Sequence, residues 1–372
     1  MKISAAGPKY SFVVPVRNGE KTLAETLHSL LEQTSPDFEI LVVDNASTDG
    51  TRAVARRFHG VRYVYCGKPG RSRARNRGAA RARGEYLAFV DADVILDPDW
   101  LANVDRELAR IPFDAIATRI EPIASRSSAL DHYRHFFGHW KSQGTFLSVR
   151  SRRGAHPLIN TAACAIAKSA FLRVGGFDES LRRHEDLELS LRLFARGFLL
   201  GGTAAARAAV RFETEAAGPF SRELAYLRRA YDVRRQALFS PPKIFDLSLL
   251  RGLLAHPARR RVLPYALLVE AARLLGNIGS ARPPRSWRTV PGPALLRTSF
   301  RHAGRSYFLQ PGTNFLFVDA AVYACVPGRE PARLNRGSAA ALRKICGGGT
   351  LSGSEAAALT RTALFSPAPL GY

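Results

Sequence analysis

Asp91 and Asp93 stand two residues apart at the end of an apolar run, Gly84-Glu85-Tyr86-Leu87-Ala88-Phe89-Val90. Side chains at i and i+2 of an extended chain project to the same side, so a strand ending here brings both carboxylates to one point. Such a pair suits a hard cation, Mg²⁺ or Mn²⁺, which commonly takes one or two protein carboxylates and completes its shell with substrate phosphates. The competing reading is a turn whose aspartates cap the next segment, since Asp97-Pro98-Asp99-Trp100 has the composition of a helix start. On these residues alone the two readings weigh evenly.

The elements needed to place that pair are legible upstream. Tyr10 to Pro15 reads as a buried strand, and Thr22 to Gln33 carries Leu23, Leu27, Leu30 and Leu31 at helical spacing. Phe38 to Val43 is a second strand, Asp49-Gly50-Thr51 opens a helix through Phe58, Val61 to Tyr65 is a third strand, a helix through Arg75 to Arg83 follows, and Tyr86 to Val90 is a fourth strand. This alternation predicts an α/β fold with a mostly parallel sheet and covering helices. Ligands of such sheets lie beyond the carboxyl ends of the strands, where Asp44, Asp91 and Asp93 fall.

Further along, Ile95 to Leu158 is less regular, Asn160 to Phe171 reads as a strand and turn, Val174 to Asp178 as a tight loop, and Leu187 to Phe198 as a helix with Leu187, Leu191, Phe194 and Phe198 on one side. Glu185 and Asp186 then sit in or just before the first turn, where a helix dipole favours carboxylates and simple capping accounts for them.

Four segments recur in a fixed order with the Asp-x-Asp pair: Val13-Val-Pro-Val-Arg-Asn18, Val42-Val-Asp-Asn-Ala-Ser-Thr-Asp-Gly-Thr51, Ala74-Arg-Asn76, and Gly175-Gly-Phe-Asp178 leading to His184-Glu-Asp-Leu187. Together they resemble the family 2 glycosyltransferases of the GT-A fold, over roughly residues 10 to 235. The resemblance implies an inverting transfer of one sugar from a nucleotide-sugar donor to an acceptor hydroxyl. It implies that the end of the first strand (Pro15, Arg17, Asn18) and Asp44 cradle the nucleotide, that Asp93 holds the cation and Asp91 reaches toward both metal and ribose, that Asp186 is the general base, and that Glu185 orients it. Asp44 has a structural alternative in an Asx turn with Ser47 or Thr48. Six arginines lie between Arg71 and Arg83, and Arg71 or Arg75 suits a diphosphate because a guanidinium matches phosphate geometry. The rest of the six read as a solvated helix face. Lys68-Pro-Gly70 lacks the spacing of a dinucleotide fingerprint.

The chain also departs from part of that family. It carries no Gln-x-x-Arg-Trp segment and no flanking membrane helices, features of the processive synthases, so a single sugar per encounter is expected. Glu121 to His156 is rich in His and aromatics, with His132, Tyr133, His135, Phe136, His139 and Trp140 offered to an acceptor pocket or to plain helix packing.

Composition bounds the remainder. With 372 residues and 46% hydrophobic content the chain can bury a large core. Its formal net charge is +24, carried mostly by arginine because only eight residues are lysine, and this favours phosphate-bearing partners. Cys66, Cys164, Cys325 and Cys346 are scattered without a Cys-x-x-Cys pair, which argues against a zinc or disulfide framework and fits a cytoplasmic protein. Phe12 to Val16 is too short for a secretory signal, and Val262 to Ile278 is broken by Glu270 and Arg273, so no membrane span is expected.

Residues 1–235 read as the transferase domain, 236–300 as a basic helical region, and 301–372 as a small module. Between Pro241 and Arg305 twelve basic residues face only Asp246 and Glu270, so helices around 253–257 and 263–275 suit an anionic inner membrane face or packing on the domain. The tail, with Phe315-Leu-Phe-Val-Asp319, Ala332-Arg-Leu-Asn335 and Cys346-Gly-Gly-Gly349, resembles the PqqD-like winged-helix peptide-recognition domain of quinone-cofactor biosynthesis. The acceptor is left open among glycan, lipid-linked and peptide classes, and no nucleic-acid partner is expected. The rival functions are a nucleotidyltransferase on a similar sheet, which would release pyrophosphate, and a non-catalytic basic protein that binds nucleic acid or membrane.

Overall fold

The computed structural model describes residues 7–123, 147–151, 154–157, 159–181, 185–196, 198–210, 299–309, 314–318, 321–325, 332–346, 349–362 and 364–366. The aromatic segment around His132 to Trp140, His184, and the basic stretch up to residue 298 lie outside these residues.

The first half alternates as its sequence pattern requires: β1 (Tyr10–Val16), α1 (Leu23–Leu31), β2 (Phe38–Asp44), α2 (Thr51–Arg56), β3 (Val61–Tyr65), α3 (Arg71–Arg81) and β4 (Tyr86–Val90). β1, β2 and β3 pair in parallel, and β4 lies parallel to the other side of β1. The chain therefore steps outward from β1 to β3 and returns to place β4 at its other flank. Such a reversal opens a crevice at the carboxyl ends of the two central strands, here β1 and β4.

α1 buries Leu23, Leu27 and Leu30, one stripe at helical spacing, and each such leucine contributes about 2 kcal/mol by leaving water. Leu31 falls off that stripe and is exposed. α3 sits unusually close to the sheet because Gly78 has no side chain. A Cβ there would lie 2.4 Å from Val13 Cγ1 and 2.9 Å from Val43 Cγ2.

Past β4 come β5 (Val94–Leu96), α4 (Trp100–Arg110), β6 (Ala115–Pro122), β7 (Leu147–Ser151), β8 (Gly154–Pro157), β9 (Ala163–Ala167), α5 (Lys168–Arg173), α6 (Glu185–Ala195) and β10 (Leu200–Val210). β9 lies antiparallel between β4 and β6, and β5 is antiparallel to β10. The sheet is thus mixed, with parallel pairing among its first four strands and through β6, β10 and the later strand Asn314–Val318, and antiparallel pairing elsewhere. Of the stretch after Ile95, the part up to residue 123 is more regular than its sequence: α4 buries Trp100, Leu101, Val104 and Leu108, and Trp100 Nε1 donates to Thr118 Oγ1 at 3.1 Å.

The tail contributes β11 (Ser299–His302), β12 (Arg305–Leu309), β13 (Asn314–Val318), β14 (Ala321–Cys325), β15 (Ala332–Arg333), α7 (Arg336–Cys346), α8 (Gly353–Thr360) and β16 (Phe365–Ser366). β11, β12 and β16 form a small sheet, while the β13–β14 hairpin and β15 extend the main sheet through pairing of β13 with β10. Ser352 caps α8 reciprocally with Glu355, and Phe300, Phe315, Leu342, Leu359 and Phe365 are buried around these elements. Among the described residues no helix is long and apolar enough to cross a membrane.

Candidate active site

The crevice between β1 and β4 holds a cleft of about 1110 Å³. Its wall takes Pro15, Arg17 and Asn18 from the end of β1, Arg71 and Arg75 from α3, Asp91 and Asp93 from the end of β4, and Glu185 and Asp186 from the start of α6. Nine of the ten residues singled out from sequence therefore meet around one space.

Asp44 is the tenth, and the structure does not bring it into that wall. It is 2% exposed, with Oδ1 accepting from Ser47 N–H at 2.8 Å and Oδ2 from the Tyr63 hydroxyl at 2.5 Å. The Asx turn is thus formed. The side chain of Asp44 is committed to Ser47 and Tyr63, while the next residue, Asn45, lines the cleft.

The loop that follows has its own task. Asn18, in the left-handed region at φ 54°, accepts from Thr48 N–H at 2.9 Å and donates its own N–H to Ser47 Oγ at 3.0 Å. Gly19 N–H donates to Thr51 Oγ1 at 2.8 Å, and Asn45 Oδ1 accepts from Gly70 N–H at 2.7 Å. The Asp44 to Thr51 segment ties together the turn after β1 and the start of α3, the two backbone pieces that present Arg17 and Arg71.

Asp91 and Glu185 are joined by one side chain. Arg75 donates from Nη2 to Asp91 Oδ1 at 2.6 Å and from Nη1 to Glu185 Oε1 at 2.7 Å, and it is 1% exposed. Burial opposes its charge, while Asp91 and Glu185 favour it, and the net effect is a guanidinium held more firmly protonated than usual. Arg71 differs: its side chain is 61% exposed and stands 3.7 Å from Glu185. Of the two arginines, Arg71 is the one open to an incoming anion.

Asp186 opens α6 with Oδ1 accepting Leu187 N–H at 2.8 Å, so it does act on the helix end as its position requires. Its carboxyl is nonetheless pushed up to about 6, first by burial and then by the charge of Glu185, against the lowering effects of the Leu187 N–H and Arg75. A carboxylate tuned toward neutrality is suited to exchange protons with a ligand.

Asp91 and Asp93 present hard oxygen donors at one edge of the cleft. Among the described residues no group of three or more His, Cys, Asp or Glu is arranged to cage a metal ion. Among the described residues the donor set therefore fits a cation that takes these two carboxylates and completes its shell with phosphate.

Several cleft residues escape sequence reading. Asn160, Thr161 and Ala162 line the wall opposite β1, and Ala162 O accepts Asp91 N–H at 3.0 Å. Only their place before an apolar strand signals them. Asn76 is outside the cleft but clamps the Gly175 to Glu179 loop, donating from Nδ2 to Phe177 O and accepting from Phe177 N–H, both at 2.9 Å. Glu179 and Ser180 of this loop line the cleft.

Residues 11–179 match the family model described as glycosyl transferase family 2. Over 91 residues the chain is 36% identical to TuaG of Bacillus subtilis strain 168, a protein named for glycosyl transfer in teichuronic acid biosynthesis, covering 23% of this chain and 36% of TuaG. Over 125 residues it is 29% identical to the poly(ribitol-phosphate) beta-N-acetylglucosaminyltransferase TarS of Staphylococcus aureus, covering 32% of this chain and 22% of TarS. The chain thus spans well under two thirds of the length of either relative. Among solved structures, the mannosyltransferase PcManGT of Pyrobaculum calidifontis, in complex with GDP-Man and Mn²⁺, aligns with 22% identity and a TM-score of 0.48 over 74% of this chain and 76% of that one.

Proposed function

We propose that the chain, whose residues 11–179 match the glycosyl transferase family 2 model, transfers one sugar from a nucleotide-sugar donor to an acceptor hydroxyl, with inversion and with a divalent cation. The observation that carries this reading is that Asp186, a carboxylate whose affinity for a proton is raised toward neutrality, lines the same cleft as Asp91 and Asp93.

Donor binding is assigned to the β1–β4 crevice. Arg17 and Arg71, both exposed at its rim, meet the diphosphate, and Pro15 and Asn18 shape the pocket for the nucleoside. Asp91 and Asp93 hold the cation. Mg²⁺ or Mn²⁺ bound there supplies Lewis-acid stabilisation of the charge that builds on the departing diphosphate.

Asp186 works from the opposite side. Its carboxylate accepts the proton of the acceptor hydroxyl as that oxygen forms its bond to the anomeric carbon. The bond from that carbon to the phosphate oxygen breaks, and its electron pair leaves with the nucleoside diphosphate. Attack opposite the leaving group inverts the centre. Glu185 fixes the helix start on which Asp186 rides.

Asp186→Asn is the direct test. It keeps the shape, accepts no proton, and is expected to bind donor normally while losing turnover by roughly a hundredfold or more. Normal turnover in this variant removes Asp186 as the base. Product analysis on the wild type separates the enzyme rival, because release of pyrophosphate in place of a nucleoside diphosphate would assign nucleotidyl transfer instead.

The C-terminal elements belong to this reading as an accessory module. The small sheet with α7 and α8 is proposed to hold a peptide near the cleft, and the basic residues before it to meet an anionic membrane face.

A further inference from the structure

We infer that Arg75 is a positioning residue rather than a phosphate ligand: its guanidinium sets the spacing between the donor side of the cleft at Asp91 and the acceptor side at Glu185–Asp186. The inference rests on the glycosyltransferase reading above and assigns Arg75 a task different from the diphosphate contact expected from its sequence.

Its commitments are already filled. Nη1 and Nη2 reach two carboxylates from two elements, the end of β4 and the first turn of α6, at 2.7 and 2.6 Å. A guanidinium is planar with its N–H groups in a fixed fork, so two such bonds define both a distance and an angle between the groups they hold. With 1% of its side chain exposed, Arg75 has no surface left to offer a diphosphate. Arg71, one turn earlier on α3 and 61% exposed, does.

The seat of Arg75 is built for this orientation. Its guanidinium lies over the Phe177 ring, 5.5 Å from the centroid. Phe177 packs edge-on against Phe89 of β4 at 5.3 Å and against Phe171 at 5.4 Å, and Asn76, the next residue of α3, clamps its backbone on both sides. Among the described residues its own Nε is buried without a hydrogen-bond partner. A buried arginine that forgoes one hydrogen bond while meeting two acids is oriented for those acids rather than for its own solvation.

The charge pattern gives the link a chemical purpose. Asp91, Asp93, Glu185 and Asp186 line one cleft, and mutual repulsion would spread them without a fixed cation among them. Arg75 supplies that charge permanently, whether or not donor and metal are bound. The reacting oxygen and the leaving phosphate are thereby held by parts of one rigid frame.

The test uses the full chain, MnCl₂, and UDP-glucose, UDP-N-acetylglucosamine and GDP-mannose as donors, with release of nucleoside diphosphate as readout. Arg75→Lys keeps the charge but replaces the fork with a compact ammonium. The expected result is a fall of about a hundredfold in kcat with donor KM within about threefold, the size that misplacement by roughly 1 Å produces. Arg71→Gln should show the reverse split, with a raised donor KM and kcat within a few-fold. Arg75→Lys with raised KM and intact kcat makes Arg75 a phosphate ligand and overturns the inference, as does wild-type behaviour in both parameters. Should Arg75→Lys fail to fold, Asp91→Asn, Glu185→Gln and the double variant give the answer: coupling through Arg75 predicts a double loss in kcat smaller than the product of the single losses, and a simple product overturns it. A wild type that consumes none of the donors sinks the glycosyltransferase reading and this inference with it, an outcome distinct from an active wild type with an indifferent Arg75→Lys.

Discussion

Asn76 and Phe177 exchange a reciprocal pair of hydrogen bonds across 101 residues of sequence, amide to carbonyl and amide to side-chain oxygen, each 2.9 Å long. The contact pins the Gly175 to Glu179 loop to α3. Gly176 beside it has φ 71°, and a Cβ there would lie 2.8 Å from Asn76 Oδ1, so the loop's glycine and the helix's asparagine require each other. The aromatic ring carried by this loop then supports the arginine that links the two sides of the cleft.

Asn76→Ala leaves the Phe177 N–H and C=O without partners in a half-buried site. The expected loss of stability is about 2–3 kcal/mol, measured by urea unfolding. Asn76→Asp keeps the acceptor, loses the donor and places a second carboxylate near Glu179, whose Oε1 now accepts from Asn76 Nδ2 at 3.1 Å. It should be no better than the alanine variant. Equal midpoints for wild type and Asn76→Asp would show that the donated bond contributes nothing.

Asp186 makes activity and stability move in opposite directions with pH. Its folded value of about 6 lies above the ordinary aspartate value of 3.8, so the native state holds this proton more tightly than the unfolded chain. Stability from this group is complete below about pH 4 and is lost as pH rises through about 6. Activity needs the ionised base and should rise over the same window, with a kcat limb near 6. Asp186→Asn should therefore be more stable than wild type at pH 8, by at most about 3 kcal/mol, and nearly equal to it at pH 4. A variant less stable than wild type at pH 8 would contradict this balance.

How much of this was legible in the sequence depends on whether a residue's task is local or remote. The strand ends near Pro15, Val43 and Val90 follow from apolar runs that stop at polar residues, with the first two strands running one residue further, and the buried stripe of α1 follows from leucine spacing. The placing of Asp44 did not follow, because Tyr63, which turns its carboxylate away from the cleft, meets it only once β3 pairs with β2 in the folded sheet. Antiparallel β9 was likewise invisible: Ala163 to Ala167 is as apolar as any parallel strand, and its direction is set by how far the chain travels before returning. Arg75 could be marked as a cation but not as a buried one. Alternate arginines along α3 look alike until the helix is seated on Gly78 and one of them turns inward.

Tyr63→Phe addresses Asp44 directly. The phenol holds Asp44 Oδ2 at 2.5 Å, and both burial and that carboxylate push the Tyr63 hydroxyl up, so it stays a donor at any physiological pH. Removing it leaves Asp44 with its Ser47 N–H bond and a free oxygen. If Asp44 only shapes the turn that carries Asn45 to Thr51, donor KM rises by a few-fold at most, and kcat is unchanged. A change in discrimination between UDP- and GDP-linked donors would instead give Asp44 a direct contact with the base.

The metal should bind cooperatively with the nucleotide. Asp91 already shares Oδ1 with Arg75, and among the described residues no third His, Cys, Asp or Glu joins the two aspartates in a cage, so these two carboxylates offer too few oxygens to hold Mg²⁺ or Mn²⁺ tightly. Phosphate oxygens complete the shell. By linkage, MnCl₂ with UDP or GDP should raise the unfolding temperature by more than the sum of the two added singly, and a chelator should remove both the excess and the turnover. Asp93→Asn should lose the excess. Asp91→Asn should lose it too, and should also unfold earlier without any ligand, by about 3–5 kcal/mol if the buried Arg75 is left with half its compensation. Full stabilisation by MnCl₂ alone at micromolar concentration would mean a cage built wholly from protein, which two aspartates cannot make.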